Sequence, residues 1–205
     1  MNFKPEISFG TRIRKSPFFD STMKWNCKGF TVYNKMYMPT FFKSEIEDYW
    51  SLVKDVTLWD VAAERQVEII GKDAEKFVEY ITPRDISKCK IGQCMYLLLT
   101  ERNGGIVNDP VLLKLADDKF WLSIADSDVL LWCLGIASTN KFDVIIREPD
   151  VSPLSLQGPK APEVMAKISG DWVKTLKFFY FKEYKIKNIP VIIARSGWSG
   201  EAGYE

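Results

Sequence analysis

The sequence predicts an α+β fold, with mixed or antiparallel sheets and flanking helices. Three observations carry this. Strand–strand–helix units recur along the 205 residues without a regular βαβ alternation. Turn signals such as Asn103-Gly104, Asp117-Asp118 and Asn188 sit between strand-like runs at hairpin distance. No internal repeat or low-complexity segment appears. The composition, 46% hydrophobic and 27% charged, is an ordinary globular one, and the length allows one large or two small domains.

In chain order, residues 1–43 are basic, aromatic and mostly irregular, with a short strand expected at Thr31-Val32-Tyr33. Ser44 and Glu47 have capping-box spacing, and Ile46, Tyr49, Trp50 and Val53 follow at helical intervals. Gln66 to Ile70 alternates polar and apolar, which predicts a half-buried strand. Asp73 can cap a helix through Ile81 whose apolar face is Phe77, Val78 and Ile81. Met95–Leu99 and Ile106–Leu115 read as strands joined at Asn103-Gly104, and Phe120–Ala125 as the next strand. Asp126-Ser127 can cap a helix from about Asp128 to Ser138, and Lys141–Arg147 returns as a strand. Leu154–Gln157 is a strand that meets Gly158-Pro159, with Pro159 suited to the start of a helix running to Ile168. Phe178–Lys187 and Pro190–Ala194 form a hairpin about Asn188. Gly203-Tyr204-Glu205 looks like a turn entering a strand, which reads as a fragment cut inside an element.

The chain has no His among 28 Lys+Arg and 27 Asp+Glu. Ser-His-Asp and Cys-His nucleophile systems are therefore excluded, as are zinc sites with His ligands. A net charge of +1 argues against a nucleic-acid binder. Met1–Phe9 lacks the apolar core of a leader, and the apolar run Val129–Asn140 is a buried helix, not a membrane span. Cys27, Cys89, Cys94 and Cys133 read as reduced thiols of a cytoplasmic protein, and no metal is expected.

Two segments can carry chemistry. In Asn103–Pro110, strand alternation places Val107, Asp109 and Val111 on one face and Asn108 on the other. An Asp beside two Val is costly unless paired or used, and the bland alternative is a solvated strand end. Arg195–Glu205 holds three Gly in seven positions with Trp198 among them. It reads either as a mobile loop or as a loop that lets backbone approach a ligand while Trp198 stacks on a flat ring. Gly158-Pro159-Lys160 offers a weaker anion site and is not a Walker A loop. Lys182, Lys185 and Lys187 suit a solvated strand edge.

Taken together, these segments resemble the folate-dependent aminomethyltransferases typified by the glycine cleavage T-protein. Ser16–Asp20 resembles T-P-L-Y-D and Leu58–Val61 resembles F-D-V-S. Val67–Ala74 matches V-x-I-x-G-x-D-A, and Gly104–Asp109 resembles G-G-I-I-D-D. Leu156–Ala161 is L-Q-G-P-K-A, and Arg195–Glu205 resembles R-T-G-Y-T-G-E-D-G-Y-E. The departures are the loss of the family His, where Val61 is followed by Ala62-Ala63-Glu64-Arg65, Asn108 in the Asp pair, and Trp198 for Tyr. With the stretches Thr31–Met36 and Pro39–Lys43 they resemble the dimethylsulfoniopropionate demethylase branch.

The resemblance implies an enzyme that moves a methyl group from a sulfonium to tetrahydrofolate. It implies Asp109 as the catalytic carboxylate near the folate, Glu205 holding the pterin, and Trp198 and Tyr96 contacting folate and substrate. It places Ser123 in the substrate pocket. It implies one domain from residues 1–55 plus 149–205, a second from 56–148, and a missing C-terminal barrel domain. The partner is a small sulfonium, with no nucleic acid and no membrane, and a homodimer is left open. Two alternatives stand beside this: a glycine-cleavage aminomethyltransferase, which needs a lipoyl carrier protein, and a folate-binding module without catalysis.

Overall fold

The computed structural model describes residues 10–205; the leader reading of Met1–Phe9 lies outside them. The architecture is α+β, with antiparallel pairing throughout the sheets. The first stretch is more ordered than its composition suggests. It holds helix α1 (Phe19–Lys24) and a hairpin of β1 (Gly29–Tyr33) and β2 (Met36–Phe41). Six residues are too few turns for α1 to show a helical period. Pro39 obscures β2, yet a two-stranded ribbon tolerates it because one strand edge needs no donor. Asn34 and Lys35 make the turn at φ 50° and 59°.

Helix α2 (Glu45–Lys54) starts where expected. The Ser44 hydroxyl accepts the Glu47 N–H at 3.2 Å and donates to the Glu47 carboxylate at 2.9 Å. Its predicted apolar face is not covered: Ile46 is 72% exposed and Tyr49 56%. Tyr49 borders a groove of about 470 Å³ with Met38, Pro39, Leu52, Trp59 and Val61. Strand β3 (Thr57–Asp60) follows, and then β4 (Gln66–Ile70). The expected half-burial of β4 is wrong, since Gln66, Val67, Glu68 and Ile69 are all buried. Its polar face is covered too: Glu68 accepts from Trp121 Nε1 at 2.9 Å and Arg147 Nε at 2.7 Å and pairs with Lys119 at 3.0 Å.

Helix α3 (Ala74–Ile81) buries Phe77, Val78 and Ile81 as predicted. Asp73 does not cap it; its carboxylate instead accepts the Asp143 N–H and pairs with Lys76. The two long strands predicted next are four short ones: β5 (Cys94–Tyr96), β6 (Leu99–Thr100), β7 (Ile106–Asn108) and β8 (Val111–Ala116). Pro110 has no N–H for a ladder, so pairing stops and Asp109 lies outside any strand. The β6–β7 turn places only Gly104 at positive φ (86°) and closes from Glu101 to Gly105, a longer turn than a two-residue Asn-Gly one.

Strand β9 (Lys119–Ser123), helix α4 (Val129–Asn140) and β10 (Ile145–Arg147) come next. Asp126 and Ser127 do not cap α4: Asp126 accepts the Asn34 N–H, and Ser127 donates to the Val107 carbonyl. Leu131 (62% exposed) and Leu134 face outward, so α4 is half-covered rather than buried. Strand β11 (Leu154–Gln157) leads to α5 (Ala161–Ser169), with Pro162 rather than Pro159 in the first turn. A 3₁₀ turn (Asp171–Thr175), the predicted hairpin of β12 (Phe181–Ile186) and β13 (Ile189–Ala194), and β14 (Gly203–Tyr204) complete the described chain.

The central sheet runs β10-β4-β9-β8-β5, and a second runs β14-β11-β3. Strand β3 lies in the 56–148 stretch but pairs with β11. One face of the central sheet packs Val67, Ile69, Leu112, Phe120 and Leu122 against Phe77 and Val78 of α3 and Val129 and Cys133 of α4. Each such buried side chain contributes roughly 1.5–3 kcal/mol. The other face packs Cys94 and Leu113 against Phe181 and Ala194 of the β12–β13 hairpin.

Candidate functional site

A row of side chains lies at one end of that second face. Tyr96, Val111, Ser123 and Gln66 are directly paired across β5, β8, β9 and β4. Directly paired residues project from the same face of a sheet. At roughly 4.8 Å per strand, Tyr96 and Ser123 stand about 10 Å apart along the row. The Tyr96 hydroxyl donates to Asp109 Oδ2 at 2.8 Å. This bond, then burial, pushes the Tyr96 phenol up, so it stays a proton donor at neutral pH. Asp109 is half-buried in the gap between β7 and β8, just before Pro110. Its neighbour Asn108 is buried and wholly structural: it donates to the Ala125 carbonyl and Ser127 hydroxyl and accepts the Ala125 N–H.

Trp198 stacks on Tyr96, with ring centroids 6.0 Å apart and planes at 28°, while remaining 80% exposed. Its loop is held from beneath by the buried Gln157 carboxamide. Gln157 donates to Ser155 Oγ at 2.8 Å and to the Ser196 carbonyl at 3.2 Å, and accepts from Ser199 Oγ at 2.7 Å. Gly197 sits at φ 149°, and a Cβ at Gly197 or Gly203 would overlap that carboxamide. The glycines there allow close packing on Gln157 rather than loop mobility. Glu205 accepts hydroxyl bonds from Ser155 and Ser196, which leaves lone pairs on a half-buried carboxylate.

The structure thus brings Tyr96 against both Asp109 and Trp198. Ser123 lies in the same row but accepts from Gln66 Nε2 at 2.8 Å rather than touching Asp109 or Tyr96. The anion reading at Gly158 fails, because the Gly158 N–H is taken by the Ala202 carbonyl and the Lys160 N–H by the Asp55 carbonyl. Lys182, Lys185 and Lys187 are exposed on the hairpin, as expected. None of Tyr96, Asp109, Ser123, Trp198 and Glu205 lines the groove beside Tyr49.

Sequence reasoning missed Gln157, Ser155, Ser196 and Glu64. Gln157 lies inside the L-Q-G-P-K-A stretch, and Glu64 follows directly on the lost His. The Glu64 carboxyl makes no hydrogen bond or ion pair among the described residues, and burial, then the charge of Glu205, pushes it up to about 7. Among the described residues no group of three or more His, Cys, Asp or Glu can hold a metal ion, and no helix is long and apolar enough to cross a membrane.

The family model for the GCVT N-terminal domain matches residues 18–205. The chain belongs to the GCVT N-terminal domain family. It is 45% identical to dimethylsulfoniopropionate demethylase DmdA of Ruegeria pomeroyi over 194 residues, which cover 95% of this chain and 53% of that protein. It is 28% identical to an aminomethyltransferase of Caldanaerobacter subterraneus subsp. tengcongensis, covering 94% and 52%. The glycine cleavage system aminomethyltransferase T from Bartonella henselae superposes with a TM-score of 0.81 at 25% identity, over 94% of this chain and 52% of that one. The chain spans about half the length of these GCVT-family relatives.

Proposed function

We propose that this chain forms the folate-facing part of a tetrahydrofolate-dependent methyltransferase. The reaction takes a methyl group from dimethylsulfoniopropionate and yields methylmercaptopropionate and 5-methyltetrahydrofolate. The observation that carries this reading is the contact of Tyr96 with both Asp109 and Trp198. A carboxylate and two aromatic faces at one place suit a sulfonium, a cation that cannot lose its charge by deprotonation. Cation–π attraction contributes about 0.5–2 kcal/mol per well-placed ring. The 45% identity to the Ruegeria demethylase, beside 28% to the aminomethyltransferase, supports the same branch.

The residues fit tetrahydrofolate. The pterin edge presents adjacent N–H and NH₂ donors, and Glu205 is a carboxylate oriented by two serine hydroxyls to accept such a pair. The exposed Trp198 face can cover the ring. When bound, tetrahydrofolate supplies the methyl-accepting nitrogen. The chain's own task is orientation, since a sulfonium methyl is already electrophilic and its sulfur leaves as a neutral thioether. Orientation can be worth about 7–11 kcal/mol in favourable cases. Asp109 in this reading positions ligands and offsets the cation's charge; it is not a general base. Ser123 lies further along the same row as a substrate contact.

One incubation of the intact gene product with tetrahydrofolate tests this. Product from dimethylsulfoniopropionate is the expected result. Product only with an aminomethylated lipoyl carrier protein assigns the chain to the glycine-cleavage reaction. Folate binding without either product leaves a binding module.

A further inference from the structure

We propose that Gln157 is a positioning residue for tetrahydrofolate. Its carboxamide fixes, through Ser155, which lone pairs of Glu205 are left for the pterin, and ties that carboxylate to the loop that carries Trp198. This rests on the reading of Glu205 as the pterin carboxylate. Gln157 ends β11, the middle strand of its sheet, with Gly203 of β14 and Thr57 of β3 directly across from it. It is 2% exposed, and Ser155 and Ser196 are buried with it. The Ser196 carbonyl can only accept, so the carboxamide atom 3.2 Å from it is the nitrogen. The second N–H of that nitrogen goes to Ser155 Oγ at 2.8 Å. Ser155 therefore accepts on this side, and its single proton is left for Glu205 Oε1, 3.2 Å away. On the far side the Glu201 N–H donates to Ser199 Oγ, and Ser199 gives its proton to Gln157 Oε1. Every proton along this line points toward Glu205.

Glu205 is held by this arrangement at backbone and side chain alike. Its N–H donates to the Ala194 carbonyl at 2.9 Å, and its carbonyl accepts the Ala194 N–H at 2.7 Å. Ser155 donates to Oε1 and Ser196 to Oε2. A carboxylate offers about four lone-pair sites, so each oxygen keeps about one for a ligand. One free acceptor on each oxygen is what a parallel N–H/NH₂ pair takes. The same carboxamide fastens the glycine loop at Ser196 and Ser199, on both sides of Trp198. The ring cover and the edge acceptor are thus set by one group. The space for that group is kept by glycine: a Cβ at Gly197 or Gly203 would lie 2.2 Å from the carboxamide.

Anaerobic calorimetry on the intact gene product tests this, with tetrahydrofolate and dimethylsulfoniopropionate as the two ligands. Glu205→Gln should weaken tetrahydrofolate binding about thirtyfold. Ser155→Ala should weaken it about tenfold and leave dimethylsulfoniopropionate binding within about twofold of wild type. Gln157→Met keeps the volume but loses both N–H donors, and should also weaken tetrahydrofolate about tenfold. Because Gln157 acts through Ser155, adding Gln157→Met to Ser155→Ala should weaken it no more than about threefold further. A full tenfold further loss, or equal losses of both ligands in Ser155→Ala, shows that these side chains only pack the loop and overturns the proposal. If Gln157→Met does not fold, Ser155→Ala decides alone, and an unchanged tetrahydrofolate affinity overturns the proposal. Loss in Glu205→Gln without loss in Ser155→Ala does so while leaving the pterin reading standing. Glu205→Gln that binds tetrahydrofolate as wild type does, or wild type that does not bind it, removes the pterin reading and this proposal with it.

Discussion

Replacing Glu64 by Gln should stabilise the protein by an amount that grows as pH rises above about 4.5 and levels off above about 7. Burial, then the charge of Glu205, pushes the native Glu64 carboxyl up to about 7, from an ordinary value of 4.5. Between these two values the native state binds more protons than the unfolded chain. Stability therefore falls as pH rises through this window and is level beyond both ends. At about 1.4 kcal/mol per pKa unit, the shift corresponds to about 3 kcal/mol by pH 8. Gln has nothing to ionise, so Glu64→Gln should track wild type near pH 4.5 and exceed it by up to about 3 kcal/mol at pH 8. For a chain of this size that is a rise of roughly 6–12 °C in Tm, or about 1 M in urea midpoint. Urea melts of both proteins at five pH values, followed by far-UV circular dichroism, read the difference directly. Parallel stability profiles would show that Glu64 is solvated and ionised like a surface acid, and would refute the burial argument.

Glu68→Gln should behave in the opposite sense. Its bonds to Trp121, Arg147 and Lys119 hold the buried Glu68 carboxyl below the usual range, although burial alone acts to raise it, so its stabilisation is present at neutral pH and lost as pH falls through that lowered value. The variant should cost about 1–2 kcal/mol at pH 7, narrowing toward zero in acid, as measured by urea melts. Gly203→Ala forces a Cβ onto the Gln157 carboxamide and should lower Tm and folate affinity together, while Gly203→Ala/Gln157→Ala should recover part of the Tm. Trp198→Ala should weaken sulfonium binding about two- to thirtyfold with little change in Tm, because the ring is 80% exposed; calorimetry separates the two quantities. Asp109→Asn should retain measurable methyl transfer; complete loss with folate and substrate affinities unchanged would show that Asp109 does proton chemistry.

The missing histidine, the α+β class and the capping of α2 at Ser44 are all readable locally, because turn chemistry and periodicity act over a few residues. So was the list of chemical segments, since a Gly-rich loop or an Asp before a Pro is visible wherever it ends up. Periodicity failed where burial comes from distant chain. The polar side of β4 was expected to meet solvent, and instead Glu68 is covered by Trp121, Lys119 and Arg147 from β9 and β10. The apolar side of α2 was expected to be covered, and Ile46 and Tyr49 are not.

The site divides in the same way. Asp109, Tyr96, Ser123, Trp198 and Glu205 can each be marked in the sequence as chemically capable. Their arrangement cannot. Tertiary structure decided that Tyr96 bonds Asp109 while stacking on Trp198 from a loop about a hundred residues away, and that Ser123 stands apart along the row. It also decided that Gln157 carries the glycine loop and that burial, then the charge of Glu205, pushes the Glu64 carboxyl up to about 7. The reason is range. Backbone preferences are set by near neighbours, whereas burial, stacking and charge coupling depend on which distant segments the sheets bring together.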